Sequence, residues 1–182
     1  MLAESLPSMS ARELLTTTHG MLFGGLFLLA FSGGMVSFLA LGSGRSNARG
    51  SRDPLKLLRI WVLIQAIAAW AATLTGAFVI YPWYRAKPPA GGSLADYPQA
   101  FLMAHPTAAP WHSFGMEWKE HLAWFVPLLA TCVAFLVTKG GHLLDENRQL
   151  RSIAMTLYSL AFAAAALAGI LGAEITKAAP IH

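Results

Sequence analysis

The chain has 182 residues, of which 55% are hydrophobic and only 12% are charged, and its formal net charge at pH 7 is +4. A soluble domain carries about 25% charged residues, so this composition predicts an integral membrane protein. Excess Lys and Arg on the cytoplasmic side of membrane proteins explains the positive charge, and we expect no nucleic-acid partner. The single cysteine, Cys132, excludes an internal disulfide, and its apolar surroundings predict a buried thiol.

Four segments are long and apolar enough to cross a bilayer, which requires about 20 residues. They are 18–41, 57–84, 118–138 and 152–175. We therefore predict one all-α domain, an integral membrane four-helix up-down bundle with a long outer loop between the second and third helices. Residues 1–18 lack the basic start and short apolar run of a cleavable signal peptide, so we expect the first span to be retained.

The first span, 18–41, begins at His19 and is rich in glycine, with Gly20, Gly24, Gly25, Gly33 and Gly34. Small residues let a neighbouring helix or a flat ligand approach the backbone closely. The glycines therefore serve either helix packing or the binding of such a ligand.

Loop 42–56 is the strongest topological signal, because four basic residues face one acid in it: Arg45, Arg49, Arg52 and Lys56. Loop 139–151 has a weaker basic excess. Basic loops stay in the cytoplasm, so both loops are predicted inside and both termini periplasmic, in a bacterial inner membrane. The chain then contacts membrane lipid along all four spans.

The second span ends in an aromatic and basic belt, YPWYR, that is typical of the membrane interface. The outer loop follows as the polar stretch 85–115, whose prolines and glycines exclude a long regular helix. Residues 94–103 predict a short helix on the membrane surface, and we expect the loop to cover the outer end of the bundle or a partner. In the third span, Pro127 predicts a kink.

Two histidines open the spans that run from outside to inside: His19 the first and His121 the third. In an up-down bundle these spans are diagonal partners, and two neutral imidazoles facing each other there form an axial pair for haem b. His142 is alone on the inner side. The pattern therefore predicts one haem, near the outer face.

Other residues near this layer suit such a haem. Gly20 and Gly24 would let the porphyrin approach the first helix. Basic side chains would pair with the propionates and a tyrosine would hydrogen-bond them, from Arg12, Arg85, Lys119, Tyr81 and Tyr84.

Simpler roles for the same residues stay open. His19 also fits an interfacial residue hydrogen-bonded to the turn before it, and His121 fits a partner of Glu117 four residues earlier. Glu117 and His121, with His19 and Glu174, form an alternative set of ligands for zinc, copper or non-haem iron. Glu174 is also placed to pair with Lys177 or Arg12. His105 and His112 are expected to be solvated loop residues.

The segments YPWYR (81–85) and EWKEHLAWF (117–125) resemble the helix ends of small bacterial four-helix membrane proteins, which show a Tyr-Pro-x-Tyr/Phe-Arg exit and a Lys-Glu-His/Asn-x-Ala start. The chain is also broadly similar to membrane b-type cytochrome subunits in having histidines at matched helix ends. The resemblance implies an inner-membrane protein in a redox setting.

Two functional hypotheses follow. The first is a b-type electron-transfer subunit with one haem ligated by His19 and His121, exchanging electrons with quinol or with a periplasmic or partner redox protein. The second is a cofactor-free accessory subunit of a larger membrane complex, respiratory or photosynthetic. The sequence has no nucleophile with a base and no phosphate-binding loop, which favours a non-catalytic subunit of a redox complex over an enzyme.

Overall fold

A computed structural model of the chain describes residues 9–42 and 53–179, and every regular element within them is helical. The α-helices are, in chain order, α1 (Ala11–Leu41), α2 (Pro54–Tyr84), α3 (Pro98–Ala104), α4 (Trp111–Glu146) and α5 (Arg148–Ala178). All of these except α3 are long and apolar enough to cross a membrane, as judged by length and composition.

Helix α1 begins earlier than the predicted span. The Ser10 side chain accepts the N–H of Glu13 at 3.2 Å, while Oε2 of Glu13 accepts the N–H of Ser10 at 2.6 Å. This reciprocal capping box satisfies two backbone donors that a helix start leaves unpaired. The predicted start at residue 18 is therefore corrected to Ala11.

Helix α2 begins with Asp53 as its cap, whose Oδ1 accepts the N–H of Leu55 at 2.9 Å. Pro54 suits the first turn because it lacks the N–H that would be unpaired there. The helix ends at Tyr84, as predicted from the YPWYR belt. Three arginines of the basic loop, Arg45, Arg49 and Arg52, lie outside the described residues.

The predicted loop 139–151 is wrong. Helix α4 continues to Glu146, α5 begins at Arg148, and the side chain of Asn147 between them caps α5 by accepting the N–H of Leu150 at 3.0 Å. The departure from helical dihedral angles within α4 lies at Gly140 (φ −109°, ψ 17°) and not at Pro127. Cys132, also on α4, is exposed, so the prediction of a buried thiol is wrong.

Each long helix packs against the next long helix along the chain, and α5 also contacts α1. The dense core lies in the half nearer Asn147, where several large side chains are fully buried: Phe38, Leu58, Val133, Leu144 and Tyr158. Tyr158 donates its hydroxyl to the carbonyl of Ala30 at 2.7 Å. The rings of Trp61 and Tyr158 occupy the places where side chains of Gly33 and Gly34 would lie, so these two glycines serve helix packing.

The opposite end of the four long helices is called the outer end below. The segment before α4 covers part of it with a 3₁₀ turn, Leu94–Asp96, followed by α3. The single predicted helix 94–103 is thus two elements, separated at Tyr97. Leu102 of α3 is fully buried in a cluster with Tyr84, Met116 and Ile175. This contact anchors the segment to α2, α4 and α5.

Candidate functional site: a cavity at the outer end

A cavity of ≈ 970 Å³ lies at the outer end, and all four long helices line it. Most of its wall is apolar, including Phe23, Phe27, Val126, Phe162, Ala165 and Ile175. Ligand pockets in proteins have volumes of roughly 300–1,000 Å³, so this cavity is large enough for a cofactor or a lipid.

Wide helical turns surround the cavity. The π-helical turns Thr18–Phe23, Gly76–Ile80 and Trp111–Met116 each contribute residues to its wall. A π turn inserts an extra residue into the helical repeat and is frequent at functional sites. The first of these turns contains His19, and the second begins at Gly76, against which the His19 ring packs.

His19 contacts Thr75 of α2 across the helix interface. Its Nδ1 lies 3.2 Å from Oγ1 of Thr75, and that hydroxyl is also within hydrogen-bond distance of the carbonyls of Ala71 and Ala72, at 2.6 and 3.1 Å. This contact fixes the orientation of the imidazole ring in the cavity wall.

Lys119 reaches from α4 across the cavity wall to α5. A Cβ on Gly172 would lie 3.0 Å from Cε of Lys119 and 3.8 Å from its Nζ, so the glycine makes room for this side chain. The ion pairs within 4 Å among the described residues are Arg85–Glu117, Arg85–Glu120 and Lys177–Glu174, and none includes Lys119. The ammonium thus lines an apolar cavity without a carboxylate in contact.

Two further polar groups at this end lack partners. Thr16 and Trp83 line the cavity, and Oγ1 of Thr16 and Nε1 of Trp83 are buried without a hydrogen bond within the described part of the chain. A buried group left unsatisfied costs about 1–3 kcal/mol.

The guanidinium of Arg12 lies over the Trp83 ring, 5.1 Å from its centroid, instead of pairing with Glu174. Glu13 also lines the cavity, with its carboxylate engaged at the Ser10 cap.

Gly20 and Gly24 line the cavity, and a Cβ on either would meet no atom within 4 Å. Gly25, the next residue, has equally open surroundings but is not part of the cavity wall. The glycines of α1 therefore divide into two sets, one that packs against rings and one that borders open space.

His121 does not join this site. It is exposed, it is not part of the cavity wall, and its Nδ1 lies 2.7 Å from the backbone carbonyl of Glu117 one turn earlier. The structure thus places His19 in the cavity and His121 on the exposed surface. The pairing with Glu117 runs through the backbone and not through the carboxylate.

Arg85 also lies away from the cavity wall. Its Nη2 is 2.9 Å from Oε1 of Glu117 and 3.4 Å from Oε1 of Glu120, and its guanidinium lies 5.0 Å from the centroid of the Tyr81 ring. Burial lowers the pKa of Arg85, but Glu120, Tyr81 and Glu117 outweigh burial and raise the pKa above its ordinary value. Arg85 is thus committed to the two carboxylates and not to a ligand in the cavity.

Tyr84 lines the cavity and connects it to α3. Its hydroxyl lies 2.9 Å from Nδ1 of His112, and Nε2 of His112 lies 3.0 Å from Nε2 of Gln99. Because an amide nitrogen only donates, His112 accepts at Nε2 and donates from Nδ1 to Tyr84. His112 is buried, so the prediction of a solvated loop residue is wrong. His105 is exposed, as predicted.

The alternative metal set is not assembled. Glu117 pairs with Arg85, and Glu174 pairs with Lys177 at 2.9 Å, as one prediction for Glu174 had it. Within residues 9–42 and 53–179, no group of three or more His, Cys, Asp and Glu side chains could hold a metal ion.

Comparisons of the chain with protein-family models, with curated proteins and with solved structures give no match.

Seven residues were predicted from the sequence to bind a haem, and five of them line the cavity: His19, Gly20, Gly24, Tyr84 and Lys119. Sequence reasoning missed Thr16 and Trp83 in the wall, and also Thr75 and His112 behind it. The run Thr16-Thr17-Thr18 could have pointed to Thr16, because the turn before His19 was expected to hydrogen-bond the histidine. Nothing in the sequence pairs His19 with Thr75, since that contact joins two different helices.

Proposed function

We propose that this chain is a multi-pass protein of a bacterial inner membrane that binds an amphiphilic molecule at the outer end of its helices. The observation that carries this proposal is the cavity of ≈ 970 Å³, which is open to the surroundings of the helices and is lined mostly by apolar side chains with a few polar ones, such as His19, Lys119 and Tyr84. An amphiphile would place its apolar part against such a wall and its headgroup beside the polar side chains.

The proposed arrangement is an up-down bundle with both termini in the periplasm. Aromatic residues close to the outer ends, Tyr81, Trp83, Tyr84 and Trp118, support a membrane interface there, and the basic loop 42–56 supports a cytoplasmic side opposite. A phosphatase reporter fused after His182 is expected to be active, because that enzyme works in the periplasm. Activity of a cytoplasmic reporter at the same position would invert the arrangement.

Two neighbouring glycines give a matched test of ligand binding. Gly24 lines the outer cavity and Gly25 does not, and a Cβ on either meets no atom within 4 Å, so we expect the ring of Gly24→Trp to take up cavity space and that of Gly25→Trp to leave it free. We expect wild-type protein and Gly25→Trp, purified in mild detergent, to release the same near-stoichiometric amphiphile on extraction and mass spectrometry, and Gly24→Trp to have lost it. Equal retention by both variants, or wild-type protein without any bound amphiphile, would overturn the proposal.

A second candidate function is that of a b-type electron-transfer subunit. It is favoured by His19, which lines the cavity with its ring oriented by Thr75 and could bind iron through an imidazole nitrogen, and by the open space beside Gly20 and Gly24. A bound haem b would supply one-electron chemistry, exchanged with quinol or with a periplasmic or partner redox protein. This version has one axial imidazole, because His121 lies outside the cavity wall.

A reduced-minus-oxidised visible spectrum of the purified protein tests the haem. Soret and α bands that vanish in His19→Ala and persist in His121→Ala support a single axial histidine. Bands that vanish in both variants would restore the predicted pair of imidazoles. A spectrum without haem bands removes this second candidate but leaves the amphiphile proposal standing.

The chain could also act as a cofactor-free accessory subunit of a larger membrane complex. This role is compatible with the main proposal, and in it the helices of other subunits would surround the chain. Large apolar side chains are exposed on every long helix, among them Val36, Ile67, Phe135 and Ile170. Such side chains suit either acyl chains or the helices of a partner subunit. Copurification of a stoichiometric membrane partner from native membranes supports the accessory role, and a stable lone monomer counts against it.

A further inference from the structure

We propose that the ligand of the outer cavity carries an anionic headgroup, a carboxylate or a phosphate, which binds the ammonium of Lys119. The inference rests on the proposed function, because it concerns the chemistry of the molecule that occupies the same cavity. It specifies that the ligand is anionic and that Lys119 recognises it. The protein should therefore bind anionic amphiphiles more tightly than neutral ones, which can be measured.

Among the described residues, no carboxylate forms an ion pair with the Lys119 ammonium within 4 Å. Glu117 and Glu120 share Arg85 at 2.9 and 3.4 Å, and Glu120, which also accepts the Tyr81 hydroxyl at 2.7 Å, attracts Lys119 only from beyond that distance. Glu174 pairs with Lys177. Glu13, the remaining acid in the cavity wall, accepts the backbone N–H of Ser10. An ammonium in an apolar cavity is costly unless an anion comes into contact with it. The ion pairs within residues 9–42 and 53–179 do not supply that anion, and we assign this role to the ligand.

The rest of the cavity wall suits the apolar part of an amphiphile. Most of the side chains that line it are apolar, among them Phe27, Val126 and Phe162. An acyl chain would lie against such a wall and leave the headgroup to the polar residues. Lys119 is the Lys or Arg among the lining residues, so it is the group that would attract an anionic headgroup.

The absence of a side chain at Gly172 leaves room for the end of the Lys119 side chain. Gly172 of α5 lies where a side chain would come within 3.0 Å of Cε of Lys119. The ammonium is therefore held against the cavity wall by the packing of α4 on α5. A headgroup that enters the cavity meets a positioned cation and not a freely moving surface lysine.

The experiment compares amphiphiles that differ only in the headgroup. Purified protein in detergent is titrated with oleate and with oleyl alcohol, and separately with phosphatidylglycerol and phosphatidylcholine, with binding followed by native mass spectrometry. Charge-assisted hydrogen bonds predict that wild-type protein prefers an anionic member over its neutral or zwitterionic counterpart by about tenfold or more. A preference for oleate over oleyl alcohol identifies a carboxylate ligand. A preference for phosphatidylglycerol over phosphatidylcholine identifies a phosphodiester without the compensating cation that choline places beside it.

Three variants assign the preference to one side chain. Lys119→Met keeps the apolar stem and should lose the preference while still binding oleyl alcohol. Lys119→Arg keeps the charge and should retain it. Lys177→Met is the control, because Lys177 is exposed and already paired with Glu174, and it should behave as wild type.

The failures of the two proposals are distinguishable. If wild-type protein binds oleate and oleyl alcohol equally, and both phospholipids equally, the anionic headgroup is wrong although ligand binding stands. If Lys119→Met keeps the full preference, Lys119 is not the recognition residue. If wild-type protein binds none of the four amphiphiles, the proposed function itself fails.

Discussion

The hydroxyl of Tyr84 lies 2.9 Å from Nδ1 of His112, which links the wall of the outer cavity to the segment that covers it. Removing one partner of a buried hydrogen bond costs about 1–3 kcal/mol. We therefore expect Tyr84→Phe to lower the free energy of unfolding by about that amount, measured by thermal unfolding in detergent. Proteolysis within residues 86–97 should also become faster.

His105→Ala is the control for that prediction, because His105 is exposed and contacts the carbonyl of Phe101 in its own helix. It should leave the melting temperature nearly unchanged. Equal effects of the two substitutions would contradict a structural role for the bond between Tyr84 and His112.

Glycines of α1 should differ in their tolerance of a methyl group. A Cβ on Gly34 would fall on the Tyr158 hydroxyl, and Tyr158 would have to give up its bond to Ala30 or shift. We expect Gly34→Ala to destabilise the protein by about 1–3 kcal/mol through overpacking. Gly25→Ala, which meets open space, should stabilise the helix by about 0.5–1 kcal/mol. Thermal unfolding of the pair measures both, and a stabilising Gly34→Ala would contradict the packing described.

Arg85 bridges Glu117 and Glu120 in a partly exposed setting, with 38% of its own side chain exposed. Exposed ion pairs contribute about 0–1 kcal/mol each, so Arg85→Met should cost little more than about 1 kcal/mol. Its pKa is raised in the folded protein. The associated stability is therefore fully present below the unfolded pKa of arginine and is lost only as pH rises through the folded value.

Thermal unfolding of wild type and Arg85→Met at pH 6 and at pH 9 should consequently give the same difference in stability at both values. A difference that disappears by pH 9 would mean that Arg85 loses its proton in the folded state at ordinary pH.

Cys132 tests whether α4 crosses a bilayer. It is exposed on α4, and in the proposed arrangement its thiol faces acyl chains far from both interfaces. A charged maleimide should therefore fail to label it in sealed vesicles, because the reagent is excluded from hydrocarbon. The control, His142→Cys in a Cys132→Ala background, should react when the reagent is on the cytoplasmic side. Rapid labelling of Cys132 in intact vesicles would place that part of α4 in water.

Much of the helical architecture could be predicted from local signals. The length and apolar character of four segments set the number of long helices, and the YPWYR belt placed the end of α2. The start of α1 was missed although Ser10 and Glu13 stand at capping-box spacing. The turn at Asn147 was missed because Gly140 and Gly141 indicate a loop, whereas in the structure the irregular backbone is confined to a kink at Gly140 and the helix resumes as far as Glu146.

The candidate site was predictable only in part. Residues predicted to open the apolar spans, such as His19 and Lys119, could be assigned to one layer because the length of a span sets depth along the helix axis. The direction in which a side chain points around its helix depends on which neighbours pack on which face. That rotation separates His19, in the cavity wall, from His121, which is exposed one turn after Glu117.

By itself, the sequence determined the all-helical class of the protein, with four long apolar helices. Its composition, with 55% hydrophobic and 12% charged residues, already indicated this class. The physical reason is that the burial of apolar surface and the pairing of backbone groups within helices depend on composition and local spacing. Only the tertiary structure decided which glycines meet rings and which border a cavity. It likewise decided that Lys119 lines an apolar space while Arg85 is already paired. The physical reason is that these outcomes depend on contacts between residues far apart in the chain, which no local pattern encodes.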